Sequence, residues 1–232
     1  MKIINYKCLG KKVINYVKTM FCPDQYVGIV KHSENWQKFY KRVDIFENQT
    51  VKIQSKITGE NFFLLILESP HTDEFAKNGK PIGPANGKTG ENIRKYITKI
   101  FGSGYNEYHL ILMNAVPFQC SLGVNTKYFR EDVFKKIWSE NGKQFFIDRL
   151  TGLLNTLSDK NIVIANCCTK GYNATNDSKN RPFLWHLVQD SIETLTSDKG
   201  MEIQYFRTSH PSSWSRNKKN REVKEKMILT IS

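Results

Sequence analysis

Phe62-Phe63-Leu64-Leu65-Ile66-Leu67, running straight into Glu68-Ser69-Pro70-His71, is the stretch on which the fold of this chain turns. Six consecutive apolar residues suit a strand buried on both faces, the habit of central strands in parallel sheets. Glu68 stands directly at the end of that run, where an ion is costly unless it is solvated, paired or used. Two later stretches repeat the pattern of an apolar strand ending in a polar motif: Leu110-Ile-Leu-Met-Asn114-Ala-Val-Pro117 and Ile203-Gln-Tyr-Phe-Arg-Thr-Ser-His210-Pro-Ser-Ser-Trp214. In an open parallel α/β sheet the carboxyl ends of the strands line one crevice. A carboxylate, an amide and an imidazole placed there converge on one ligand.

Outward from this strand the chain alternates. Helices are expected near 89–101, within 130–157, at 183–196 and at 216–229, with strands at 109–113, 161–166 and 202–207. The fold class that follows is α/β: a three-layer α/β/α arrangement around a central, mainly parallel four-stranded sheet. Upstream, Thr50-Val-Lys-Ile-Gln54 alternates like a half-exposed strand, and Thr58-Gly59 turns. Residues 11–21 and 34–43 have helical spacing and predict an N-terminal helical extension over 1–49 packed on the core, leaving 50–232 as the main α/β domain. The long connections 69–88 and 114–129 follow strands at the motif-bearing end, where functional loops belong.

The 232 residues suffice for one well-buried core. No apolar run approaches the roughly 18–20 residues of a spanning helix, and the basic start lacks a signal-peptide core. A cytoplasmic protein without a membrane partner is expected. Lys and Arg number 35 against 22 Asp and Glu, a net charge of +13. Such an excess attracts polyanions, nucleic acid first among them. Cys8, Cys22, Cys120, Cys167 and Cys168 show no metal-ligand spacing, so structural thiols and no metal site are expected, with a redox role for the Cys167-Cys168 pair the lesser reading.

The four motifs Leu67-Glu68-Ser69-Pro70-His71, Gly79-Lys-Pro-Ile82-Gly-Pro-Ala-Asn-Gly87, Asn114-Ala-Val-Pro117 and His210-Pro211-Ser212-Ser213 occur in the order and at the strand ends of the uracil-DNA glycosylase superfamily. Over about residues 60–230 the chain resembles that superfamily, most closely its thermostable iron–sulfur branch. The resemblance implies a monofunctional DNA glycosylase that flips a nucleotide and hydrolyses its N-glycosidic bond, leaving an abasic site. Glu68 would stabilise the positive sugar and position water, and His210 would donate to the carbonyl oxygen of the departing base. That division suits the reaction, which needs an anion beside one product of charge separation and a donor beside the other. Asn114, with a donor and an acceptor on one amide, suits reading of a pyrimidine edge.

Departures from the family pattern bear on the substrate. Ile82 stands where the family stacks a phenylalanine on the base, so the platform is weaker or comes from elsewhere, Phe118 or Phe75, and His71 replaces a small residue at the pocket wall. The cluster cysteines are missing, so no cofactor is expected. These changes favour a modified cytosine, such as those of phage DNA, over uracil. For DNA contacts the candidates are Ser69, Lys88 and Thr89 at a helix start, Ser212 and Ser213, Trp214 as an intercalating wedge or as a core residue, and the basic Arg216, Lys218 and Lys219. The protein is expected to act on DNA as a monomer.

Other readings are a non-catalytic nucleic-acid-binding module on the same fold and a hydrolase of free nucleosides or nucleotides. An ATPase reading of Gly83-Pro-Ala-Asn-Gly87-Lys88-Thr89 fails, because only three residues separate its glycines where the phosphate loop needs four. Asp73, Glu74 and His109 are further acid–base candidates, Asp73 being the second choice after Glu68. His32 and His186 are read as ordinary.

Overall fold

A computed structural model describes residues 21–31, 43–44, 59–83, 85–101, 107–120, 126–171, 183–195 and 200–231. The expected helix over 11–21 (but for Phe21), most of that over 34–43, the strand at 50–54, Cys8 and His32 lie outside these residues. Among the described residues seven strands form one mixed sheet: β1 (Gln25–Lys31), β2 (Val43–Asp44), β3 (Asn61–Leu67), β4 (Glu107–Asn114), β5 (Asn161–Asn166), β6 (Met201–Arg207) and β7 (Glu225–Ile231), in the order β2-β1-β4-β3-β5-β6-β7. The pairs β3·β4, β3·β5 and β5·β6 are parallel. The outer pairs β1·β2, β1·β4 and β6·β7 are antiparallel. The expected four-stranded sheet is thus a seven-stranded one with antiparallel margins.

Two expectations are corrected by those margins. Residues 25–31, placed in a helical extension, form a strand on β4, because Tyr26-Val-Gly-Ile-Val30 is rich in β-formers and buries Val27 and Val30. Residues 216–229, expected as a helix, instead form a short 3₁₀ turn at Lys218–Arg221 followed by β7. There Met227, Leu229 and Ile231 alternate with the more exposed Lys226, Ile228 and Thr230, the period of two that an edge strand requires.

Helices α1 (Lys88–Phe101), α2 (Thr126–Ile137), α3 (Lys143–Thr156) and α4 (Leu184–Glu193) connect the strands, with a π turn at Trp138–Gly142 joining α2 to α3. The sheet carries apolar cores on both faces. Phe62, Leu64 and Ile66 pack with Phe134, Leu150 and Val188 of α2, α3 and α4. Phe63, Leu65 and Leu67 pack with Ile93 and Ile97 of α1. Both sets of β3 side chains are therefore buried, which explains the unbroken apolar run. Among the described residues no helix is long and apolar enough to cross a membrane.

The chain steps from β3 to β4 on one side and then returns to β5 on the other, so the order of the parallel strands reverses between β3 and β5. A crevice opens at such a switch point, outside the carboxyl ends of the strands. Glu68 follows β3 at that point, and Cys167-Cys168-Thr169 follows β5.

Candidate functional site

The loop after β3 and the turn after β6 enclose a cavity of about 210 Å³, with Glu68, Ser69, His71, Glu74, Lys88, Thr89, His210 and Ser212 among its walls. It thus brings together the carboxylate of the first motif, the imidazole of the last and the amino end of α1. Each is held differently.

Glu68 is 1% exposed. Its Oε2 accepts from the Thr169 hydroxyl at 2.6 Å and the Thr169 backbone N–H at 3.1 Å, which fixes the carboxylate against the neighbouring strand. Thr169 is itself placed by Asn166, whose Oδ1 accepts from the Cys168 N–H at 3.0 Å and whose Nδ2 donates to Trp185 O at 2.9 Å. The carboxyl group is therefore positioned by the end of β5.

His210 caps a short 3₁₀ turn, Pro211–Ser213. Its Nδ1 accepts from the Ser212 backbone N–H at 3.3 Å and lies 2.9 Å from Ser212 Oγ. A backbone N–H can only donate, so when the ring is neutral its proton sits on Nε2. Asn92, buried in α1, donates to Pro211 O at 2.8 Å and ties this turn to the helix. Ser213 Oγ donates to His210 O at 2.7 Å.

Glu74 sits at the centre of the loop. It is 6% exposed, and burial pushes its carboxyl from the usual 4.5 up to about 8, against the pull of the Ala85 and His71 backbone N–H groups. At neutral pH it is a protonated acid. Its Oε2 and the Ser69 Oγ are buried with no hydrogen-bond partner. A buried polar atom left in that state costs about 1–3 kcal/mol, and such atoms concentrated on one cavity mark a place built to receive polar groups.

Asn114 walls neither of the two cavities found at this end of the sheet. It lies on β4 directly across from Leu67, which does line the first cavity, and is 1% exposed. Both Nδ2 and Oδ1 are buried without a partner. Its backbone is held firmly. Arg149 of α3 donates through one nitrogen to Asn114 O at 2.7 Å and Ala115 O at 3.0 Å, and through the other to both oxygens of Asp24 at 2.7 and 3.0 Å. Burial pushes Asp24 up to about 6, with Arg149 opposing, so the pair remains ionic at neutral pH.

Several expected residues take other roles. Trp214 is fully buried beside Phe101, and its Nε1 donates to Ser209 O at 2.7 Å. The wedge role is corrected accordingly: the ring completes the core under α1. Phe118 stacks on Phe145 with ring centroids 6.1 Å apart and meets Phe21 tilted at 5.9 Å, on the opposite face of the sheet from Leu67, so it offers no platform to the cavity. Ile82 lines neither cavity; its N–H donates to Glu74 O at 2.7 Å and shapes the loop. Phe75 is buried and bridges to Pro81. His71 is half exposed at the rim, 3.2 Å from Asp73.

Arg216 lines the second cavity, while Lys218 and Lys219 are exposed on the turn beyond. His109 lies at the start of β4, the opposite end from the site. There it is stacked between Tyr26 and Phe62, and burial lowers its pKa. Cys167 and Cys168 are buried, and burial pushes the Cys167 thiol up, which removes it from redox chemistry. Among the described residues no cluster of His, Cys, Asp and Glu could hold a metal.

Sequence reading missed Thr169, Asp24 and Arg149, and passed over Glu74 in favour of Asp73. Glu74 carried the only legible signal, a second carboxylate a few residues after Glu68. No family model, curated protein or solved structure matches this chain.

Proposed function

We propose that the protein is a monofunctional DNA glycosylase that takes an aberrant or modified pyrimidine into the first cavity and hydrolyses its N-glycosidic bond. The observation that carries this reading is that Glu68 and His210, 142 residues apart in sequence, wall the same small cavity. At about 210 Å³ it falls below the ~300–1,000 Å³ of pockets for larger ligands, which suits one ring rather than a whole nucleotide. A base can reach such a cavity only when rotated out of the stack.

In the proposed reaction the bond between the sugar C1′ and the base nitrogen breaks, and the base leaves with the electron pair. Glu68, pinned through Oε2, stabilises the positive sugar and accepts a proton from the water whose oxygen bonds to C1′. His210 donates through Nε2 to the base oxygen on which negative charge collects. Protonated Glu74 and the Ser69 hydroxyl supply further polar contacts to the ring, and the amino end of α1 favours a phosphate at Lys88 and Thr89. The unpartnered amide of Asn114 lies one strand away, outside the cavity wall, so the expected reading of the base edge by Asn114 is not part of the proposed reaction. The net charge of +13 supports a polyanionic substrate. Uracil and a modified cytosine both remain within this reading, the second favoured by Ile82 in place of an aromatic platform.

The test is release of free base, followed by mass spectrometry, from DNAs carrying uracil or naturally modified cytosines. Glu68→Gln is expected to slow release roughly 10²–10⁴-fold. His210→Ala is expected to slow it about 10²–10³-fold. Unchanged release by both variants would refute the assignment.

A further inference from the structure

Beside the first cavity lies a second of about 580 Å³, and His210 and Ser212 belong to the walls of both. Its remaining wall is of another kind. Phe183 and Trp185 stand stacked with ring centroids 5.8 Å apart, and the Arg207 guanidinium lies 4.1 Å over the Trp185 ring. Arg207 is matched by Glu225, Nε to Oε2 at 2.8 Å. Lys170, Lys224 and Arg216 also line this cavity, and none of them forms an ion pair among the described residues. Lys224 is already disfavoured as a cation by burial and by the neighbouring Arg207 and Lys170 charges. All three are exposed to solvent, so they present their charge at the mouth of a half-buried aromatic wall. An anion joined to a flat ring matches both features at once.

We propose that the second cavity binds a nucleotide of the same DNA strand, adjoining the one held in the first. Its base stacks on Trp185 and Phe183, and its phosphate is taken by Lys170, Lys224 and Arg216. The size agrees, since 580 Å³ lies within the range of pockets for nucleotide-sized ligands. The chemistry agrees as well: every base has a π-face, so an aromatic wall with nearby cations grips a strand without reading its sequence. Continuity through His210 and Ser212 places the two occupants next to each other. Which nucleotide arrives rests on the proposed glycosylase reading. That a ring bearing phosphate is bound here does not.

The experiment compares equilibrium binding of the tetranucleotide pTpTpTpT, thymidine 5′-monophosphate and thymidine to the whole protein, in that expected order of decreasing affinity. Trp185→Leu should weaken the tetranucleotide about tenfold or more, and Trp185→Phe should restore most of it, because stacking needs a ring and not indole. Lys170→Ala combined with Lys224→Ala should weaken it by about tenfold and flatten its salt dependence. Circular dichroism of each variant confirms folding. Equal affinity for thymidine and the tetranucleotide, equal affinity for the mononucleotide and the tetranucleotide, or unchanged binding by the folded variants would overturn the proposal. The two readings fail separately. Ordered binding without base release from any DNA breaks the glycosylase reading alone, and base release with binding unaltered in these variants breaks the second site alone.

Discussion

The two cavities that meet at His210 and Ser212 are built on opposite principles. The first is small and lined by groups whose positions are fixed: Glu68 by Thr169, His210 by Ser212, Glu74 by the backbone N–H groups of Ala85 and His71. The second is larger and walled by rings and long cationic side chains that adjust to a ligand. Preset polar groups at a switch point suit a reaction whose charges must be met without reorganisation. Stems and faces suit a grip that tolerates any sequence. On the proposed reading the first region carries the chemistry and the second the holding.

The strongest way to break this comparison is at Arg149, whose fork supports the end of β4 and touches nothing of the second cavity. Arg149→Met leaves Asp24 buried without its partner and is expected to lower stability by about 3–5 kcal/mol, measured by urea unfolding. Adding Asp24→Asn should recover part of that loss, since it removes the stranded charge. A fully additive pair would show that the two side chains do not act together.

A smaller effect sharpens the comparison through pH. Glu74 holds its proton up to about pH 8 when folded, against a usual 4.5, so the folded state binds the extra proton between those values. The stability from this group is complete below the lower value and is lost as pH rises through the higher one. Asp24, raised only to about 6, adds nothing to the slope above that pH. Between pH 6.5 and 8 the Glu74 contribution should therefore fall by roughly 1.4 kcal/mol per pH unit, and Glu74→Gln should remove it. Unfolding curves at several pH values check this; an identical slope in the variant would place the titration elsewhere.

The parallel centre of the fold was legible because burial on both faces leaves continuous apolar runs, and β5 was bounded correctly at 161–166. The margins were not. β7 hides its alternation behind Lys224, Glu225 and Lys226, and β1 lies in a stretch whose neighbours have helical spacing. Within the site, Glu68, His71, His210 and Ser212 were legible as motifs after strands and Lys88 and Thr89 as a helix start, and all six share one cavity. Trp214 was misread as a wedge because sequence offset says nothing of which way a ring points; only packing under α1 does. Thr169, Asp24 and Arg149 left no trace, since they act through partners 101, 125 and 35 residues away. Phe118 failed as a platform for a related reason: the turn after β4 carries it to the other face of the sheet.

The most direct test of the central claim is the single-turnover rate of base release by Glu68→Gln, measured beside its affinity for the same DNA. The account predicts a rate lower by roughly 10²–10⁴-fold with DNA bound as tightly as before or more so, because the carboxylate acts on charge that develops only during bond breaking. A variant that keeps its rate, or that loses release only by losing DNA, would contradict it.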